Sequence, residues 1–581
     1  MLRKIVIVAA FAALVTVGAA SAALGSQRRA SQESSTTITL MPGVTYTRAV
    51  DFTSRGPIVV DVVTAPKPDG TVYSLGPAVT NGTLRGTDKL THLEKQLAGR
   101  GTTVAIDGDY FDRHTGTPSG IVLQGGVLEN QPAAGRSSLG IGVDGTLTAA
   151  RVSFAGTWQG NGQPRPLLLN TPKGRFTLYT PAYGTATPSE SGVVEAVIGS
   201  MPEAQLDTPL DGSVTQVAGG GPTRIPPGGA VLVARGAQST SQLRAEAPVG
   251  QQVEARLSLS PDWSGEAGAI GGGPLLVKNG KPVFHADESF GPGGLNRRQA
   301  RGAVGQLADG RILLVSVEGT NPAYSIGMSS YELAVELSRL GARTAFGLDS
   351  GSAAGMAFDG KLLTRPSTGA EPKVSDALAL TYSGVYAAAP SAVVLSPNGD
   401  GVGDTETLSY RVVRPSTVSA VLTGPGGIKI RLADGAVQPG QHAVAWDGRN
   451  AGAPASEGQW TFTVTATDDR EVKTTAQRVF SLDDTLSSLA VSTARGRATA
   501  SFRLARAARV LVRIERPTGL PVARLLSGQR TSGPQRVTWK GRIGRHPAPG
   551  GRYQVEVQAM SSVGSSSLTA PFSFRPHPRH K

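Results

Sequence analysis

The sequence predicts a strand-rich α+β domain followed by two all-β sandwiches, and three observations carry that reading. Gly (75) and Pro (39) make up about a fifth of the 581 residues, which cuts the chain into short segments without reaching a disordered composition. Apolar, β-branched runs such as GAVLVARG and RILLVSVEG recur between residues 41 and 386, whereas helical periodicity stands out in two places. Beyond residue 390 an alternating apolar and polar pattern repeats at an interval of 93 residues, from Trp446 to Trp539 and from Trp460 to Tyr553. With 39% hydrophobic residues the chain is no polytopic membrane protein, and its length calls for more than one core.

The elements follow in order. Residues 1–23 read as an export signal: Arg3 and Lys4 precede an apolar run that ends in the small triplet Ala20-Ser21-Ala22. If left uncleaved, the uncharged stretch Ile5 to Gly25 would just span a bilayer, so contact with a membrane is expected only in that case. Residues 24–40 read as a polar linker. In the domain at 41–386, GMSSYELAVELSRLGA places Leu333, Leu337 and Leu340 at i, i+4 and i+7, with Gly341 as the stop. TDKLTHLEKQLAGRG places Leu90, Leu93 and Leu97 on one stripe. Residues 391–482 and 485–577 each have the size and alternation of an Ig-like sandwich.

The net charge of +14 is localised. Of the 57 Lys and Arg residues, 17 lie beyond residue 484, where the only acids are Glu515 and Glu556. The rest of the chain is balanced, with 40 basic and 41 acidic residues. A cationic terminal module with few interleaved aromatics, on an exported chain, suits an anionic cell-wall polymer rather than nucleic acid.

The inventory of reactive groups narrows the chemistry. The absence of Cys removes thiol nucleophiles, Cys-ligated zinc, iron–sulfur clusters and disulfides. None of the seven His lies in a metal-ligand spacing, and no G-x-S-x-G elbow is present, so no cofactor or metal is expected. Carboxylates, Arg and Gly remain. In VAIDGDYFD, Asp107 and Asp109 follow an apolar strand two residues apart; they either share a proton and position a water or form a solvated Asp-Gly turn. In AIGGGPLLVKNGKPVF, Gly271, Gly272 and Gly273 either cradle a phosphate on open N–H groups or simply enter a hairpin. Arg301 opens one strand and Glu318 closes the next; an Arg there is a bidentate phosphate ligand or a surface cation. Ser329-x-x-Glu332 fits a capping box, which gives Glu332 a structural role as an alternative to a chemical one. Asp349 stands at a strand end before the turn Ser350-Gly351-Ser352, as a catalytic acid or as a turn residue. In the first sandwich Asn398, Asp400 and Asp404 alternate but lack a late bidentate Glu, which favours an Asx-turn cluster over a Ca²⁺ site.

Taken in order, AIDGDYFD, PSGIVLQGGVLEN, RSSLGIG, AIGGGPLLVKNGK, RGAVGQLADGR, SIGMSSYELAVELSRLGA and GLDSGSAAGMAFDGKLL resemble the phosphodiester glycosidase family. The resemblance covers most of residues 41–386. It implies hydrolysis of a sugar 1-phosphodiester of the N-acetylglucosamine type at the sugar, with a phosphomonoester released. Carried over by position, it implies that Arg301 holds phosphate and that Asp349 and the helix Glu332 belong to the site. Asp107 stands where the family usually has Asn. Ala353 and Ala354 replace expected hydroxyls, Glu318-Gly319-Thr320 replaces D-G-R, and a further Arg is missing near Glu371-Pro372-Lys373. SPNGDGVGDTETLSYRV with AWDGRN and EGQWTFTVTA is similar to the Ig-like repeat of flagellar hook-capping proteins. The expectation is an exported phosphodiester glycosidase acting on an extracellular or cell-wall glycan, with Asp349, Asp107, Asp109 and Glu332 as catalytic candidates. Substrate contacts are expected from Arg301, Gly271 to Gly273, Glu318, Ser350, Gly351 and Ser352. The alternatives are an impaired glycosidase fold that binds wall glycophosphate and a structural adhesin.

Overall fold

A computed structural model describes residues 33–576 apart from 284–287, 392–393, 398–402, 495 and 518. The export-signal stretch 1–23 therefore lies outside the described residues, as do Asn398 and Asp400. Among the described residues no helix is long and apolar enough to cross a membrane.

The protein is predominantly β, with several antiparallel sheets. An eight-stranded sheet runs, from one edge to the other, through Glu33–Met41, Val44–Thr53, Gly56–Ala65, Ile312–Val317, Arg301–Leu307, Ala342–Ser350, Leu275–Lys278 and Lys281–Pro282. Its first strand lies largely within the stretch read as a linker. Alternating Thr and apolar residues there pair with Val44–Thr53 across a turn at Gly43, whose φ is +70°. On the inner face Val63, Leu314, Val304 and Phe346 pack against Val104, Ile106, Met356, Leu378 and Leu380. Those come from a five-stranded sheet ordered Lys361–Leu362, Met356–Phe358, Thr102–Asp107, Asp376–Tyr382 and Tyr73–Val79.

Both expected helices form. Ser330–Arg339 lays Leu333 and Leu337 on the outer face of the large sheet, against Val315, Val317 and Ala303. Leu90–Gln96 covers the far face of the smaller sheet through Leu90 and Leu93, with Leu97 just beyond its end. This explains why all six residues of Thr102–Asp107 are buried.

A closed seven-stranded barrel interrupts the two sheets, from Ser153–Gln159 to Gln252–Ser260, and is filled by Trp158, Leu169, Leu232 and Leu257. Sequence patterning did not separate it from its surroundings, because strands of four to ten residues look alike whichever sheet they join. With it the large region is predominantly β and carries few helices.

Beyond residue 385 the chain forms two further β units. In the first, three-stranded and five-stranded sheets share a core in which Trp446 and Trp460 lie 4.8 Å apart between ring centroids. In the second, three-stranded and four-stranded sheets share a core with Trp539 and Tyr553 5.2 Å apart. The 93-residue repeat thus sends equivalent aromatic positions into equivalent cores. Tyr386, expected to end the large domain, instead opens a strand that pairs with Arg411 and Tyr410 of the next unit. Arg411 donates to Thr102 Oγ1 (2.7 Å), and Arg478 to the carbonyls of Ala387 (2.7 Å) and Leu40 (3.2 Å), which docks that unit onto the large one.

Candidate active site

Four aspartates converge where the two central sheets meet: Asp107 at the end of its strand, Asp109 two residues on, Asp349 near the end of Ala342–Ser350, and Asp376 opening Asp376–Tyr382. Local backbone geometry holds them there. The Asp349 N–H donates to the Gly108 carbonyl (2.7 Å), the Gly108 N–H to the Asp376 carbonyl (3.2 Å), and the Asp109 N–H to Asp376 Oδ1 (2.8 Å). Gly108 is required at the centre of this strap, since a Cβ there would lie 2.6 Å from Asp376 Oδ1.

The carboxylates are poorly satisfied. Asp109 Oδ2 accepts from the Gly120 N–H (2.5 Å) and Asp349 Oδ1 from the Ser350 N–H (2.6 Å). Both Asp107 oxygens, Asp109 Oδ1 and Asp376 Oδ2 are buried without a protein partner. Burial, reinforced by the neighbouring carboxylates, pushes Asp107 and Asp376 well above the usual carboxylate range. Burial also raises Asp109, to about 6, against the opposing pull of the Gly120 N–H and Arg136. Asp349 rises to about 7 through burial and the Asp109 charge, opposed by the Ser350 N–H, Arg113 and Arg136. At 7% exposure Asp349 is the most accessible of the four, the others being at 0–1%. Two clefts, of about 400 and 350 Å³, lie elsewhere and include none of these residues. Among the described residues no three His, Asp or Glu side chains are arranged to hold a metal ion.

Arg136 supplies the adjacent cation. Its guanidinium sits 5.1 Å from the Tyr110 ring centroid and 4.6 Å from that of Phe290, and its Nη1 is buried without a protein partner. Glu288 anchors the neighbouring backbone, accepting from Ser137 N–H and Oγ (3.0 Å each) and from Leu275 N–H (3.0 Å). Ser350 Oγ accepts from Gln299 Nε2 (2.7 Å) and lies 3.4 Å from the Tyr110 hydroxyl. Asp376 and Arg136 were not among the sequence-based candidates. Asp376 begins an apolar strand with no motif around it, and only the RSSLGIG segment hinted at Arg136.

Several expectations change. Arg301 is buried, and its Nε and Nη2 donate to the carbonyls of Met328, Gly294, Leu295 and Arg297 at 2.8–3.2 Å, so those two donors tie the short helix Pro292–Asn296 to the segment at Met328 instead of facing a ligand. Glu332 completes the capping box with Ser329 and pairs with Arg298, which places it in helix capping and apart from the aspartates. Glu318 joins a separate buried group with Arg48 (3.0 Å) and the Arg365 N–H (2.8 Å). The N–H groups of Gly271 and Gly273 are taken by the carbonyls of Ile121 and Gly347 (2.8 Å each), so they are not an open cradle. These glycines permit close packing: a Cβ on Gly271 would lie 2.3 Å from Asp109 Oδ2 and one on Gly272 2.6 Å from the Gly347 carbonyl. Gly351 donates to the Ala300 carbonyl (2.8 Å) at a φ of +84°, and Ser352 is exposed beside it. Ala353, one of the two alanines in place of expected hydroxyls, joins the apolar cluster beneath Leu90. Glu371, near the expected Arg, caps that helix through Thr91 N–H (2.8 Å).

Two substitutions report on this packing. Gly271→Ala is expected to displace Asp109 and lower stability by about 1–3 kcal/mol, as overpacking does, measured as a lower urea midpoint. Asp107→Asn tests the repulsion. A carboxyl whose proton affinity is raised by folding stabilises the fold below its unfolded pKa, and that contribution is lost as pH rises through the folded value. The uncharged Asn is therefore expected to raise the melting midpoint at pH 8 by a few degrees, at about 2–4 °C per kcal/mol, and to change it little at pH 4. An unchanged midpoint at pH 8 would show that the charges are already relieved.

The family model described as phosphodiester glycosidase matches residues 205–381, a span that includes Asp349 and Asp376 but not Asp107, Asp109 or Arg136. The SPbeta prophage-derived uncharacterized protein YomE of Bacillus subtilis (strain 168) is 30% identical over 132 residues, which is 23% of this chain and 20% of that relative's length. A hypothetical protein from Synechocystis shares the fold with a TM-score of 0.51 at 26% identity, covering 60% of this chain and 64% of its own. A protein from Burkholderia pseudomallei K96243 does so with a TM-score of 0.50 at 18% identity, covering 61% of this chain and 97% of its own.

Proposed function

We propose that residues 41–386 hydrolyse a sugar 1-phosphodiester of the N-acetylglucosamine type, carried by an extracellular or cell-wall glycan. The observation that supports this most is the neighbourhood of a raised, solvent-nearest carboxyl, Asp349, and the Arg136 guanidinium, whose Nη1 is buried without a protein partner. Arg136, with the exposed Arg113 nearby, binds the phosphate diester. Asp109, ionised above about pH 6, takes a proton from water as the water oxygen bonds to the anomeric carbon. The bond from that carbon to the phosphate oxygen breaks, and Asp349, protonated below about pH 7, gives its proton to the departing phosphomonoester. Burial, together with the Asp109 charge on Asp349, keeps the proton affinity of this pair high. Export is part of the same reading and rests on the N-terminal pattern Arg3-Lys4 to Ala22.

The test is incubation with a synthetic N-acetylglucosamine α-1-phosphodiester, with free sugar and phosphomonoester measured together. Release of both in equal amounts, with oxygen-18 from labelled water found in the sugar, supports the proposal; label in the phosphomonoester would place the cleavage at phosphorus, release of a sugar phosphate would place it at the other ester bond, and either refutes it. A binding-only reading is favoured by one observation, the apolar packing of Ala353 where a hydroxyl donor was expected. Saturable binding of the same compound with no product would decide for that reading.

A further inference from the structure

We propose that the outer face of the three-stranded sheet in the last β unit is a docking surface for a flexible polymer carrying phosphate groups along its chain, a polyol or sugar phosphate. The sheet comprises Leu486–Ala494, Arg497–Leu504 and Gly533–Trp539. Along Arg497–Leu504 the residues Ala498, Ala500, Phe502 and Leu504 point into the core, which turns Arg497, Thr499, Ser501 and Arg503 outward. The neighbouring strand is in register, with Ser501 opposite Arg536 and Thr499 opposite Thr538, and those two threonine hydroxyls lie 3.0 Å apart. Arg497, Arg503 and Arg536 are all exposed, and the exposed Lys540 follows the strand.

Among the described residues none of these cations has a carboxylate partner. Glu515 and Glu556, the only acids after residue 484, lie on Ala508–Glu515 and Gly551–Met560 of the opposite sheet. There Glu556 already binds Arg513 (2.6 Å) and Glu515 accepts from Gln554 (3.0 Å). The absence of acids from the Arg497–Leu504 face, against two on the opposite sheet, is a property of strand parity, which net charge alone does not reveal. Arg497 and Arg503 are separated by six residues, about 20 Å of extended strand, and the next strand runs about 4.8 Å away, a track long enough for several phosphates. Guanidinium groups bind phosphate through paired donors, and the hydroxyls between them accept or donate to polyol oxygens. The unit's five aromatic side chains, Phe502, Trp539, Tyr553, Phe572 and Phe574, are all buried, so the face offers no platform for stacking bases.

The experiment uses the full chain and a glycerol-phosphate polymer, with binding followed by anisotropy at 50 and 200 mM salt. Its outcome does not depend on whether the large domain turns over substrate. The variant Arg497→Gln/Arg503→Gln/Arg536→Gln is compared with Arg509→Gln/Arg524→Gln/Arg530→Gln, which removes the same charge from exposed positions of the opposite sheet. Melting of both variants verifies that they fold. The first variant is expected to weaken binding at least tenfold and to flatten the salt slope by about 2, at roughly 0.7 per phosphate contact on a flexible strand; the second is expected to weaken it less than threefold. Equal losses in the two variants, binding indifferent to salt, or equally tight binding of duplex DNA with the same phosphate count would each overturn the proposal.

Discussion

Replacing Asp349 by Asn is expected to lower kcat on an N-acetylglucosamine 1-phosphodiester by about 10²–10³-fold with KM within a factor of three, as expected for loss of a positioned proton donor. That corresponds to about 3–4 kcal/mol of transition-state stabilisation. The amide keeps the acceptor that binds the Ser350 N–H, so the turn and the fold survive the change. It removes the proton that burial holds to about pH 7. The wild-type profile of kcat/KM against pH should be a narrow bell, rising near 6 and falling near 7, limbs that belong to the cluster as a whole. The variant should lose the falling limb. A variant that retains full turnover and the same bell would remove Asp349 from the chemistry.

The second large effect is expected at Arg136. Arg136→Gln should lower kcat/KM by about two orders of magnitude, the scale of losing one preorganised donor to a developing charge. It should also move the bell to higher pH, because the guanidinium holds down both Asp109 and Asp349. The contrast with Arg301 sharpens the test. Nε and Nη2 of Arg301 tie carbonyls of Gly294, Leu295 and Arg297, at the end of the short helix Pro292–Asn296, to that of Met328, so Arg301→Gln should lower the melting temperature with any loss of activity following the unfolded fraction. If Arg301→Gln instead left stability intact and raised KM, the phosphate would sit there and not at Arg136.

Much of the site was visible as local pattern. Asp107, Asp109 and Asp349 lie where apolar strands give way to Gly-containing turns, and strand ends are where a β scaffold presents side chains. The capping box at Ser329 and Glu332 was equally legible, because a cap is made within four residues. The same sequence supported a chemical role for Glu332, and only its partners Ser329 and Arg298 decide between the two. Asp376 was invisible: it belongs to SDALALTY, an ordinary apolar strand, and becomes a site residue because that strand pairs with Thr102–Asp107, nearly 270 residues earlier.

Strand-rich character, the helices at Leu90 and Ser330, the repeated C-terminal units and the confinement of excess charge to the last of them are legible in the residues alone. Those are properties of periodicity and composition, carried by short stretches of chain. Long-range pairing decides which carboxylates meet, that Arg136 Nη1 lies unpartnered beside them while Nε and Nη2 of Arg301 are taken by carbonyls, that a barrel divides the two sheets, and which sheet face of the last unit carries arginines without acids. Each depends on pairing between residues far apart in the chain, and on whether a donor's hydrogen bonds are already used by neighbouring carbonyls. Residue type does not encode that satisfaction; packing does.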